Sequence, residues 1–160
     1  MHLWHPERSG QIDIRIKRDG SWWHEGAEIR RQPMVRLFSG ILRRDPDGFY
    51  LVTPAERLRI AVDDAPFVAT EIFVEGSGAA ANLLFRTNVD EYVEVDAQHP
   101  IWVENAQTSP DPYVAVRDGL VARLSRATFY ELVEHAVEEG DELCVYSNST
   151  RFVLGSTQST

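Results

Sequence analysis

The sequence predicts a two-domain α+β protein that is mostly antiparallel sheet and carries one hairpin–helix–hairpin motif twice. Two stretches, residues 14–60 and 113–154, each open on an alternating strand that ends in Arg-Asp-Gly, at Arg18-Asp19-Gly20 and Arg117-Asp118-Gly119. Each then places an arginine, Arg31 or Arg126, just before a one-sided helix and closes on a short hairpin. Between them lies a series of short strands with no counterpart before the first copy, so the second domain is the larger one.

Residues 1–11 read as a flexible arm. His2 and His5 lie there, but two histidines near a terminus with no clear third ligand do not define a metal site. Ile12, Ile14 and Ile16 alternate with Asp13, Arg15 and Lys17, the period of a strand with one buried face. Asp19-Gly20 supplies a tight turn, and residues 21–24 return as its partner. Pro33 fits the first turn of a helix, where its missing N–H costs nothing. Met34, Leu37, Phe38, Ile41 and Leu42 follow at i, i+3, i+4, i+7 and i+8, giving one apolar face. Arg43 and Arg44 would then end the helix where its dipole favours cations. Asp47-Gly48 turns the chain into a hairpin whose second strand runs to Val62.

Asp63-Asp64-Ala65-Pro66 interrupts two good strands and marks the boundary between an N-terminal domain, 12–64, and a C-terminal domain, 65–160. Residues 67–75 are apolar on both faces in places, as expected of a central strand. Strands over 83–88, 92–95 and 101–103 follow, then a polar loop to Pro112. The second motif repeats the helix positions at an offset of 95, from Phe129 to Val137, which puts Arg31 on Arg126. The closing hairpins align at 94, with Arg57 on Arg151.

The protein has 160 residues, 43% of them hydrophobic and 26% charged, so it can bury a core. A net charge of −9 repels phosphate backbones and anionic membranes, so neither nucleic acid nor a membrane surface is an expected partner. No apolar run approaches the roughly 20 residues of a spanning helix. With a single cysteine, Cys144, no intramolecular disulfide can form. No signal-peptide pattern is present either, and the expected location is cytoplasmic. Walker A, GxGxxG, GxSxG, HExxH and CxxC motifs are all missing, so no cofactor, metal or catalytic residue is predicted.

Several side chains remain as candidates for binding. A cation beside a helix N-terminus opposes the macrodipole, so helix stability does not explain Arg31 or Arg126. Either an acid such as Asp19, Asp64 or Asp118 pairs with them, or an anionic ligand sits between guanidinium and free helix N–H groups. Arg86-Thr87-Asn88 offers a donor fork and an amide on one face of a strand, suited to a phosphate or to a strand-end turn. Asp63-Asp64 reads as a solvated turn or a carboxylate pair. His99 and His135 have no nucleophile motif nearby. Trp22, Trp23, Tyr113 and Tyr130 read as core aromatics, any of which could stack on a base.

The runs Asp19-Gly20-Ser21-Trp22, Met34-Val35-Arg36-Leu37-Phe38 and Tyr50-Leu51-Val52-Thr53-Pro54 resemble the bacterial family catalogued as domain of unknown function 1285. So do Val62 through Phe67, Phe85-Arg86-Thr87-Asn88-Val89, His99-Pro100 and Tyr113 through Tyr130, in the family's order. The resemblance implies a duplicated two-domain α+β fold whose C-terminal domain is similar to pleckstrin-homology-like folds. It also implies a ligand site at the domain interface for a nucleotide-like molecule, with a role in signal transduction and no catalytic activity. Ser147-Asn148-Ser149 departs from the family, which tends to carry glycines there.

The expected function is therefore a non-enzymatic regulatory protein that binds a nucleotide-like or phosphate-bearing small molecule. Its expected anchors are Arg31, Arg86, Asn88, Arg117 and Arg126, with Tyr130 or Trp22 as the stacking surface and Asp64 and His99 nearby. The alternatives are a protein–protein interaction module and a small hydrolase using Asp64 and His99. The sequence leaves the oligomeric state open.

Overall fold

The computed structural model describes Pro6 and residues 8–157. His2 and His5 lie outside the described residues. The fold is mixed α+β, mostly sheet, with two α-helices among the described residues. The protein forms two compact units, the first running to Phe67 and including Asp118–Leu120, the second comprising the rest.

Unit 1 contains strands β1 (Arg8–Ile16), β2 (Trp22–His24) and β3 (Ala27–Glu28), helix α1 (Gln32–Gly40), and strands β4 (Leu42–Asp45), β5 (Gly48–Val52) and β6 (Glu56–Val62). They make one sheet in the order β3-β2-β1-β6-β5-β4. Only β1 and β6 run parallel, which requires a crossover, and α1 lies within it. The alternation of the isoleucines holds: Ile14 and Ile16 are buried and the residues between them exposed. At the following turn Gly20 takes φ +88, and Asp19 accepts the Ser21 N–H at 3.0 Å.

Two expectations are corrected here. The strand begins at Arg8, so residues 8–11 are no arm: Arg8↔Glu56 through Gln11↔Arg59 pairing gives their backbone groups partners. The helix also stops at Gly40. The Ile41 N–H closes it on Phe38 O, and Leu42 enters β4 opposite Leu51. Arg43 and Arg44 are consequently strand residues, and the closing hairpin is a three-stranded meander. With Leu42 buried in the sheet, the helix faces the core with Val35 and Ser39, an i, i+4 row. Met34 and Leu37 are left 38% and 66% exposed.

Unit 2 contains β7 (Phe67–Glu75, from Val68 onward), a 3-10 turn (Gly78–Ala80), β8 (Asn82–Thr87), β9 (Tyr92–Glu94), β10 (Ile101–Glu104), β11 (Asp111–Arg117) and β12 (Leu120–Leu124). Helix α2 (Arg126–Glu134) follows, then β13 (Val137–Glu139), β14 (Glu142–Ser147) and β15 (Thr150–Ser156). One sheet has the order β10-β11-β12-β7-β8-β9, so β7 is an inner strand as its apolar run predicted. The other is the meander β13-β14-β15. In β7 the pairing slips between Ala69 and Glu71, a bulge that leaves Thr70 without a partner residue.

The buried Ser147 hydroxyl ties the two sheets of this unit, accepting the Leu83 N–H at 2.8 Å and donating to Val95 O at 2.7 Å. Asn148 and Ser149, where the resemblance expects glycines, make the β14–β15 turn at φ +50 and +62.

The element order β1-β2-β3-α1-β4-β5-β6 is followed later in the sequence by β11-β12-α2-β13-β14-β15. Helix α2 begins and ends 94 residues after α1, and β15 begins and ends 94 residues after β6. The helices bury different rows, however. Helix α2 buries Thr128 and Leu132, which lie 93 residues beyond Val35 and Ser39, not the expected 95. The structure therefore places Arg31 opposite Ser125, both N-caps, and Arg126 one position further on.

Candidate functional site

Helix α2 starts from Ser125, whose hydroxyl accepts the Thr128 N–H at 3.2 Å while its carbonyl takes the Phe129 N–H at 2.9 Å. The N–H groups of Arg126 and Ala127 have no acceptor among the described residues. The Arg126 side chain is exposed and pairs with no carboxylate among those residues. One turn on, at i+4, Tyr130 is 61% exposed. A cation, two free donors and an open aromatic ring thus share one end of the helix.

Helix α1 is less well equipped. Arg31, its N-cap, makes no capping hydrogen bond through its side chain, and it is exposed with no acid partner among the described residues. Pro33 has no N–H, and those of Met34 and Val35 both go to Arg31 O, at 3.0 and 3.2 Å. Two of the acids that could have answered these arginines are engaged locally. Asp19 accepts from the Ser21 hydroxyl and backbone, which holds its carboxyl below the usual range, and Asp64 lies 3.8 Å from Arg18.

Arg86, Asn88 and Arg117 gather around the β8–β9 turn, each with local partners. Arg86 pairs with Glu71 and, at 2.6 Å, with Asp90. Arg117 Nε donates to Glu91 at 2.6 Å. Asn88 Oδ1 accepts the Val68 N–H at 2.9 Å, tying the turn to β7. An anion here would have to displace carboxylates.

Trp22 is 1% exposed and stacks on Phe38 at 6.1 Å, closed to a base. His99 Nδ1 meets Asp96 at 2.8 Å, an interaction that lowers the Asp96 carboxyl. Trp22, Arg31 and Asp64 belong to unit 1, and Arg86, Asn88, Arg117, Arg126, Tyr130 and His99 to unit 2.

Sequence reasoning missed two features. In unit 1, Asp45 is gripped by Arg43 (2.7 and 3.0 Å) and by Arg57, which lies 4.1 Å from the centre of the Tyr50 ring. Arg43 foremost keeps the Asp45 carboxyl depressed. In unit 2 the residues 94 further on repeat the pair: Arg151 Nε donates to Glu139 at 2.8 Å. The second feature is an open groove of about 370 Å³ where β1 and β6 part. Gln11 faces Arg59 and Arg15 faces Ala61, so Ile12, Asp13 and Ile14 bow away from Ile60. The periodicity that identifies each strand carries no sign of this slip between them.

Among the described residues no helix is long and apolar enough to cross a membrane. Among the described residues no three His, Cys, Asp or Glu side chains are grouped to hold a metal.

These features define a two-unit α+β protein, mostly sheet, with two α-helices among the described residues. The protein belongs to the DUF1285 family. Residues 1–65 match "Domain of unknown function (DUF1285), N-terminal domain" and residues 66–154 match "Protein of unknown function (DUF1285), C-terminal domain". It is similar to the crystal structure of a DUF1285 family protein from Silicibacter pomeroyi DSS-3, at 44% identity and TM-score 0.91, covering 97% of this chain and 86% of that one. It is also similar to the crystal structure of a DUF1285 family protein from Shewanella baltica OS155, at 26% identity and TM-score 0.58, covering 76% of this chain and 91% of that one. No curated protein matches the sequence.

Proposed function

We propose that this protein is a non-enzymatic regulatory protein, acting in signal transduction, that binds a nucleotide-like ligand through its phosphate. The observation that carries this reading is the N-terminal end of α2. There Arg126 is exposed with no carboxylate partner among the described residues, the N–H groups of Arg126 and Ala127 have no acceptor among them, and Tyr130 is open one turn on. A phosphate satisfies the donors and reverses the unfavourable sign of a cation at that end of the helix. Tyr130 offers its ring to a base. Arg31 is a second, poorer anchor for an anion, since α1 spends its first N–H groups on Arg31 O.

The same reading takes the two units as a duplication and unit 2 as pleckstrin-homology-like. Supporting the duplication are the shared element order, the 94-residue spacing and the repeated Arg–acid pair, Arg57–Asp45 and Arg151–Glu139.

Thermal unfolding against a panel of nucleotides and inorganic phosphate tests the ligand. A bound nucleotide at about 100 times its Kd adds about 2.7 kcal/mol of stability, seen as a Tm rise of several degrees. Arg126→Ala should abolish that rise while leaving the ligand-free Tm unchanged or slightly higher, because it removes a cation from a helix N-terminus. A panel without any shift, or a ligand-free loss on Arg126→Ala as large as a structural ion pair would give, overturns the reading.

A further inference from the structure

Residues 29–44 hold five arginines (Arg30, Arg31, Arg36, Arg43 and Arg44) and no acid, in a protein whose net charge is −9. Helix α1 lies within this run and shows solvent a face with Met34 38% and Leu37 66% exposed. Arg30, Arg31 and Arg36 are exposed around it. Neither helix propensity nor the core requires an apolar pair in a basic frame there, since α1 faces its own core with Val35 and Ser39.

A second apolar patch has the opposite frame. On the outward face of β7-β8-β9, Phe73 (44% exposed) and Tyr92 (58% exposed) lie with ring centres 6.4 Å apart. Half-buried Leu84 sits opposite Phe73 in the register. Glu75 alternates with Phe73 along β7 and Glu94 follows Tyr92 on β9, both exposed on the same face; Glu71, also there, is paired with Arg86, which lies opposite Tyr92. Among the described residues six large hydrophobic side chains are exposed, and these two patches hold four of them.

We propose that this protein self-associates, α1 of one copy seating Met34 and Leu37 on the Phe73–Leu84–Tyr92 face of a second copy, with arginines meeting glutamates at the rim. Two observations favour a second copy as the occupant. The protein itself carries both complementary surfaces, and a helix laid on a sheet face is the ordinary way such a face is covered. A net charge of −9 on each copy disfavours association in general, and the arginines of residues 29–44, of which Arg30 lies 3.7 Å from Glu28, offset that repulsion at this contact. If two copies each give a helix to the other, the assembly closes as a two-fold dimer. The proposal does not depend on Arg126 or on any ligand.

Sedimentation velocity on the full-length protein, from about 1 to 100 µM and without nucleotide, tests it. The wild type should associate at about 0.05 M salt and loosen at about 0.5 M, as rim charges are screened. Leu37→Asp spoils the helix half and Tyr92→Lys the sheet half, and each alone should weaken association at least about tenfold. Both positions are exposed, so far-UV circular dichroism and Tm should stay at wild-type values; Met34→Asp and Phe73→Lys provide a second pair should either variant fail to fold. Mixing Leu37→Asp with Tyr92→Lys restores one intact contact and should give a heterodimer. A wild type that stays monomeric throughout, including one that instead captures an acidic peptide, overturns the proposal. So does a mixture that remains two monomers.

Discussion

Glu139 is the most heavily engaged carboxylate described. Tyr146 donates to it at 2.6 and 2.8 Å, Arg151 at 2.8 Å and Cys144 at 3.2 Å. The Tyr146 hydroxyl first, then Arg151, hold it at about 2 against an ordinary 4.5. A carboxyl depressed in the folded state binds its proton more readily when unfolded, so its stabilisation is complete above pH 4.5 and lost as pH falls towards 2. Tm measured across this range should fall more steeply for wild type than for Glu139→Gln, whose Tm should already be lower at pH 7. Equal slopes would remove Glu139 from the account. Burial, chiefly, raises the thiol of Cys144. Its place in β14 follows from the structure. The carboxylate beside it was not legible in the sequence, since Glu139 reaches it across β13–β14 pairing that residue spacing does not specify.

Among the elements, strands were read more accurately than helices. Alternation with period 2 leaves a strand only two orientations, and burying Ile14 and Ile16 settles which. A nine-residue helix can turn by a residue at little cost, and Leu42, counted on its apolar face, had a competing place in β4. That competition, decided by pairing with Leu51, is why Met34 and Leu37 came out exposed. Turns are subject to a different constraint. Ser149 holds φ +62, a conformation that costs residues with a Cβ about 1–2 kcal/mol. Ser149→Gly should therefore stabilise the protein by up to about 1 kcal/mol once the added freedom of the unfolded state is deducted, read as a higher urea midpoint at unchanged m-value. Asn148 should not tolerate the same change, because its amide donates to Glu94 and Val95 O at 3.1 and 2.8 Å.

At the scale of a whole unit, buried polar contacts fix sheet against sheet. In unit 2 Ser147 does so from full burial, and its loss leaves a backbone N–H and a backbone carbonyl without that partner. Ser147→Ala should cost about 1–3 kcal/mol by urea unfolding, far more than a surface serine. A cost below about 0.5 kcal/mol would mean that other contacts hold the sheets.

The sequence by itself determined the α+β class, the inner position of β7 and the family. Each of these rests on local periodicity, turn chemistry or contiguous motifs, which neighbouring residues specify among themselves. Tertiary structure alone decided which arginines are free. Arg31, Arg86, Arg117 and Arg126 are equivalent as letters, yet carboxylates on neighbouring strands or turns occupy Arg86 and Arg117 and none among the described residues reaches Arg31 or Arg126. It also decided the β1–β6 slip and the two oppositely framed apolar patches. Charge pairing and register depend on groups brought together from distant parts of the sequence, and only folding brings them within reach of one another.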